Sequence, residues 1–225
     1  MKVIGFIIAA MALFCSIFTA KAHAKGDPVL DSIRIHISSA SDQMEAFNFE
    51  KARAELSQGF LKSASRSTPE LNYYLHSYTA EILYYEGLFD KAIQYADKAM
   101  QFAKLKNDSL LIASEYNFLG LLYQSINKSE KSVPLLKQSL QSYPLNGTSL
   151  FPVSRTYQIH SNLGQCYLEL KDYEAAAKEL HISLLLAKEA GSGRGQSIAA
   201  WALGKVKHAS NDNDSALWYF NVADG

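Results

Sequence analysis

His36, His76 and His160 are the residues in this chain that most suggest chemistry. Imidazole titrates near neutral pH and is the commonest metal ligand, so recurring histidines could mark a zinc site or a proton shuttle. Zinc holds its ligands at about 2 Å, which requires the side chains to converge on one point. His36 and His76 are one period of 40 residues apart, and His160 falls at the same place in a later period. Side chains at equivalent places in successive packed helical units lie about 10 Å from one another. They cannot share an ion, and a packing role follows. His181 and His208 remain as surface candidates.

The other chemical candidates reduce to structure as well. "GSGRG", Gly191 to Gly195, has the glycine density of a phosphate loop but follows a helical pattern and lacks the Lys-Ser/Thr ending. It is expected to be a helix end, with Gly191 as the cap and a flexible connector after it. Cys166 is expected to be a small core residue. No H-E-x-x-H, G-x-S-x-G or paired-cysteine motif occurs in the sequence. The N-x-S/T triplets at Asn107, Asn127, Asn146 and Asn213 fall in polar turns and are read as turn chemistry. No catalytic residue, metal or cofactor is therefore assigned, and the chain is not expected to be an enzyme.

The first 24 residues have the layout of a secretion signal. A short basic start at Lys2 precedes the apolar run Val3 to Ala20, and Ala22-His23-Ala24 offers the small-x-small cut site. Uncleaved, the run could just span a bilayer as an anchor. Anchoring through Cys15 is disfavoured by the bulky Phe14 before it. The whole chain carries 22 basic and 22 acidic residues, and removal of Lys2 and Lys21 leaves a net charge of −2. No nucleic-acid surface is expected from such a balance. Of the 2 cysteines only Cys166 would remain, so packing and not a disulfide must hold the mature chain together.

The elements that position these residues repeat with a period near 40. Leu-Gly pairs end at Gly120, Gly164 and Gly204, and steps of 40 back from Gly120 reach Ala80 and Ala40. Twelve residues after these anchors stand Ala52, Ala92, Ser132, Ala176 and Ala216; seven further on stand Gly59, Ala99, Ser139, Ser183 and Ala223. Every slot holds Gly, Ala or Ser. Such residues let two helix backbones approach where they cross. Phe49, Phe89 and Tyr173 before the small residues, with Leu56, Leu136, Leu180 and Phe220 after them, complete a helical apolar face. Polar turns such as "YEGLFD" and "ELKDY" separate two helices per unit, and nothing in the pattern suggests a strand. The longer gap before Gly164 contains "YPLNGTSLFPVS", an expected loop.

This outline resembles the tetratricopeptide repeat family, through the Leu-Gly pairs, Tyr123 and Tyr167, the ladder of small residues, and Pro144 closing its unit. The resemblance implies an all-α, right-handed α-solenoid of about five helix pairs, over about 30–68, 70–108, 110–146, 153–191 and 194–225, behind the signal peptide 1–24. The family's usual repeat is near 34 residues; the longer form here is similar to that of exported sensor regions in bacterial signalling proteins. The last unit lacks a polar closing helix, so the chain is expected to be truncated or to continue.

In the family the first helix of each pair lines a concave groove that binds peptides or protein segments. The resemblance places Tyr74, Ser77, Glu81, Tyr84 and Tyr85 there, then Asn117 and Gln124, then Gln158, Ser161 and Gln165, then Trp201 and Lys205. Amides can pair with a peptide backbone, and Tyr or Trp supply rigid apolar area. The expected partner is a protein or peptide, with membrane attachment only through the N-terminus or a downstream helix. The expected function is an extracytoplasmic, periplasmic sensor segment ahead of a histidine kinase or regulator. A stand-alone exported adaptor for envelope assembly or nutrient uptake is the alternative.

Overall fold

The computed structural model describes residues 27–143 and 156–224. The signal sequence expected over 1–24, Cys15, Pro144 and Asn146 lie outside the described residues, as does nearly all of the expected loop before Gly164. Among the described residues all regular structure is α-helical, in five pairs. These are α1 (Pro28–Glu45) with α2 (Phe49–Ser63), α3 (Pro69–Tyr85) with α4 (Phe89–Lys106), α5 (Ser109–Ser125) with α6 (Ser129–Ser142), α7 (Thr156–Glu169) with α8 (Tyr173–Glu189), and α9 (Gly193–Ala209) with α10 (Asn213–Asp224). The chain falls into two compact units, Met1–Leu111 and Ile112–Gly225.

Local chemistry starts and stops these helices. Asp27 and Thr68 cap α1 and α3, each followed by a proline that fits the first helical turn, where no N–H partner is required. Within each pair the turn contains one residue in the left-handed region, always seven after the anchor: Phe47, Gly87, Asn127, Lys171 and Asn211. The amide after it bonds back to a carbonyl five residues earlier, as Asp172 does to Tyr167 at 2.9 Å and Leu88 does to Leu83 at 2.8 Å. That double closure satisfies the last helical carbonyls and reverses the chain.

The small-residue ladder marks the crossings. Fourteen of its fifteen positions are buried and Ala223 is half-buried. A Cβ built on Gly120 would lie 2.7 Å from the side chain of Leu136, and one on Gly164 would lie 2.7 Å from Leu180 Cδ2 and closer still to its Cγ. Both leucines are fully buried, so each sits in the space its glycine leaves. Where the ladder carries serine, the hydroxyl is used: Ser132 donates to the Gly120 carbonyl at 2.7 Å, Ser139 to Ala113 at 2.6 Å, and Ser183 to Tyr157 at 2.7 Å. A buried hydroxyl that reaches an acceptor escapes the cost of desolvation.

The "GSGRG" stretch is a helix junction, but not the flexible connector expected. Gly191 turns the chain at φ +64, and Ser192 caps α9 by accepting from the Gly195 amide at 3.1 Å. Gly193 and Gly195 belong to the first turn of α9. Gly195 is buried, and a Cβ there would lie 2.7 Å from the Tyr157 ring. Close packing, not mobility, requires that glycine.

Candidate functional site

The histidines divide by their neighbours. His36 Nδ1 meets Glu55 Oε2 at 2.7 Å, and His160 Nδ1 meets Glu179 Oε2 at 2.7 Å, each tying the two helices of its pair. His76 instead packs against Phe60, Tyr95 and Phe102. Its Nδ1 lies 2.8 Å from the Asn72 carbonyl. Burial, with Lys98 adding to it, holds His76 below its ordinary pKa, although the Asn72 contact pulls the other way. The sequence carries a sign of this split: the residue nineteen after the histidine is Glu in the first two cases and Tyr95 in the third. His208 contacts Asn213 at 3.0 Å, and the His181 ring packs against Tyr219. Among the described residues no three His, Cys, Asp or Glu side chains cluster as metal ligands do.

Cys166 is fully buried and donates to Ser132 Oγ at 3.2 Å. Burial pushes its thiol up to about 11, so it stays protonated and inert near neutral pH.

The twelve groove residues fall on both units, and each unit stands by itself. In the first, Tyr74 and Glu81 are buried, contrary to a ligand-facing role. Tyr74 packs edge-on to Tyr73 and against Tyr78, and desolvation drives its phenol above the ordinary value. Ser77, Tyr84 and Tyr85 are half-buried; Tyr85 stacks on Phe49 with ring centroids 5.0 Å apart, and Tyr84 contacts Phe89. Their rings fill the seams around the helix pairs.

In the second unit, Ser161 is also buried. Gln165 lies over it, its Nε2 3.4 Å from Ser161 Oγ. The resemblance assigned Tyr74, Glu81 and Ser161 to the groove, and their burial leaves little of them for a ligand to touch. Asn117, Gln124, Gln158 and Gln165 are half-buried on α5 and α7, and Trp201 and Lys205 are exposed on α9. Two polar links join α5 to α7. Asn162 Nδ2 donates to Asn117 Oδ1 at 3.1 Å, and Gln124 Nε2 donates to Glu169 Oε1 at 3.1 Å, while Ser129 also donates to Glu169. Asn162 was missed in the sequence. Its slot holds Ser38, Tyr78, Phe118 and Ala202 elsewhere, so the signal was an amide where no other unit carries one.

Trp201 is the prominent member. It is 51% exposed, while Ala199, Ala200, Ala202 and Leu203 around it are buried. Lys205, one turn on, places its Nζ 4.6 Å from the centre of the Trp201 ring. The cation–π contact holds the indole on the surface, with a broad apolar face beside a charge.

Fold and site together define a helical-repeat scaffold. Residues 157–180, α7 and the first part of α8, match the tetratricopeptide repeat family model. Comparison with curated protein sequences found no match. BtubC (BKLC) from P. vanneervenii has a similar fold, with TM-score 0.74 and 19% identity over 96% of this chain and 88% of that one. The apo form of RapI superposes with TM-score 0.70 at 14% identity, and the match spans 96% of this chain but 58% of that one. MamA from Desulfovibrio magneticus RS-1 gives 0.60 at 16% identity over 89% and 96% of the two chains. Identities this low show shared fold alone.

Proposed function

We propose that this chain is a protein-binding scaffold whose ligand is a peptide segment of a partner, laid across α7 and α9 with Trp201 as its anchor. The exposed indole, clamped by Lys205 on a helix whose neighbouring residues are buried, carries the reading. Tryptophan gives large, rigid contact area at small entropic cost and dominates many interfaces. Gln158 and Gln165 on α7 offer amide donors and acceptors for a peptide backbone.

The proposal is tested by panning a displayed random-peptide library on the purified chain. Enriched peptides should bind wild type and lose most of their affinity for Trp201→Ala, with Gln165→Ala weaker in effect. Enriched peptides that bind Trp201→Ala equally well would refute the reading. Export belongs to the same proposal and rests on the sequence of residues 1–24. The exported scaffold would serve as the sensing segment of a signalling protein. An epitope-tagged chain found in the cytoplasmic fraction would remove that part and leave the peptide site standing.

A further inference from the structure

The link between Asn162 and Asn117 lies inside the second unit, with a helix pair on either side of α7 along the chain. Asn162 is 8% exposed, and its Nδ2 donates to Asn117 Oδ1 at 3.1 Å. The slot of Asn117 holds Ile37, Ser77, Ser161 and Trp201 in the other units, so none of them sets one amide on another at this place. Exchange of both partners of a buried hydrogen bond for apolar groups of like shape costs little. Stability alone therefore does not call for two asparagines. What the pair does is fix an amide. With Oδ1 held by Asn162, the carboxamide of half-buried Asn117 takes one orientation and keeps its Nδ2 as a donor. Among the described residues that Nδ2 donates to no atom, and it is open to solvent.

We infer that Asn117 Nδ2 donates to a main-chain carbonyl of the bound peptide, with Asn162 as the positioning residue that aims it. The inference rests on the peptide reading at Trp201 and extends the footprint from α7 and α9 to α5. Charge selects the kind of acceptor. Neither α5 nor α7 contains Lys or Arg, and their acids are Glu115 and Glu169. A carboxylate of the ligand would meet like charge there and no cation, whereas a neutral carbonyl meets no such repulsion. Helix spacing sets the position along the peptide. Packed helices lie about 10 Å apart, so α5 and α9 are about 20 Å apart, and an extended chain covers that in about six residues. The acceptor is then about six residues from the side chain that lies on Trp201.

The probe is a library-selected peptide that Trp201→Ala releases, labelled for fluorescence anisotropy and remade with each peptide bond in turn replaced by an ester, whose carbonyl is a weaker acceptor. One ester, about six residues from the anchor, should weaken binding to wild type by about three- to tenfold. Asn117→Asp keeps an acceptor for Asn162 and loses the outward donor. It should weaken the parent peptide by a similar factor and be indifferent to that ester. Asn162→Leu leaves Asn117 in place but unaimed, and should flatten the ester profile at the same bond, which a loss of stability alone does not do. Circular dichroism confirms that both variants fold. An ester profile that Asn117→Asp and Asn162→Leu leave unchanged overturns the inference while the site at Trp201 stands. If the coupling to Asn117→Asp lies instead at an Asn or Gln side chain of the peptide, revealed by alanine replacement, the main-chain assignment is overturned. A library that yields no peptide dependent on Trp201 refutes the peptide reading and this inference with it.

Discussion

Gly164→Ala adds one methyl group at the crossing of α7 and α8, and two effects compete. Alanine in place of glycine inside a helix gains about 1 kcal/mol of propensity. Against it, the new Cβ would lie 2.7 Å from Leu180 Cδ2 and 3.2 Å from the Ala176 carbonyl oxygen. Leu180 is 0% exposed and has no space to turn into, and Ala176 O is backbone. Overpacking of this kind costs about 1–3 kcal/mol. Here both the leucine and the backbone must move, so the upper half of that range applies. The net loss is then about 1–2 kcal/mol, or a melting point lower by about 2–8 °C for a chain of this size. Gly204→Ala should cost less, because Phe220, which its Cβ would meet at 2.5 Å, is half-buried and free to swing outward. Gly193→Ala meets nothing within 4 Å and should leave the melt unchanged or raise it slightly. Thermal melts followed by circular dichroism rank the three. If Gly164→Ala melts with or above wild type, the crossing is looser than described and the small-residue argument fails at its strongest point.

The remaining predictions draw on other parts of the fold. Lys171 holds a left-handed conformation at φ +62 with a side chain that disfavours it, so Lys171→Gly should stabilise by about 1 kcal/mol in chemical denaturation; a loss of stability would mean that the lysine side chain matters more than its backbone. His76 has a pKa held below its usual 6.5 in the folded state, so its contribution is complete above the unfolded value and is lost as pH falls below it. Melts of wild type should therefore fall from pH 7 to pH 5 more steeply than those of His76→Phe, and identical slopes would count against the buried imidazole. Ser139→Ala removes the 2.6 Å bond to the Ala113 carbonyl and should cost about 0.5–1.5 kcal/mol, with no cavity, since the same slot holds Ala99 one pair earlier.

The fold was legible because its constraint is steric and local. A glycine that must admit Leu180, or an alanine that must admit a crossing helix, leaves a size signature at a fixed distance along the chain. The left-handed turn residues share that regularity: Phe47, Gly87, Asn127, Lys171 and Asn211 differ in type but not in register, so the period survives where the turn chemistry does not. The junction at Gly191–Gly195 was misread because glycine serves two needs that look identical in a sequence. Gly191 supplies a positive φ and Gly195 supplies room for the Tyr157 ring.

The candidate site was less legible because exposure is set by neighbours and not by register. Ser77, Asn117, Ser161 and Trp201 hold the same slot, three before the anchor, yet Ser161 is 2% exposed and Trp201 is 51% exposed. Gln165 covers the serine; at the tryptophan the residue in Gln165's slot is Lys205, which lies along the ring and cannot hide it. The slot fixes only where a side chain begins. Whether its end reaches a partner depends on the volume of that side chain and on what the next turn of its own helix places over it. A face drawn from register alone therefore contains buried small residues by construction, and the ligand-facing subset is the part whose side chains outreach the following turn. By that criterion Trp201 outranks the other residues in its slot, and a peptide that ignored it would have to bind on amides alone.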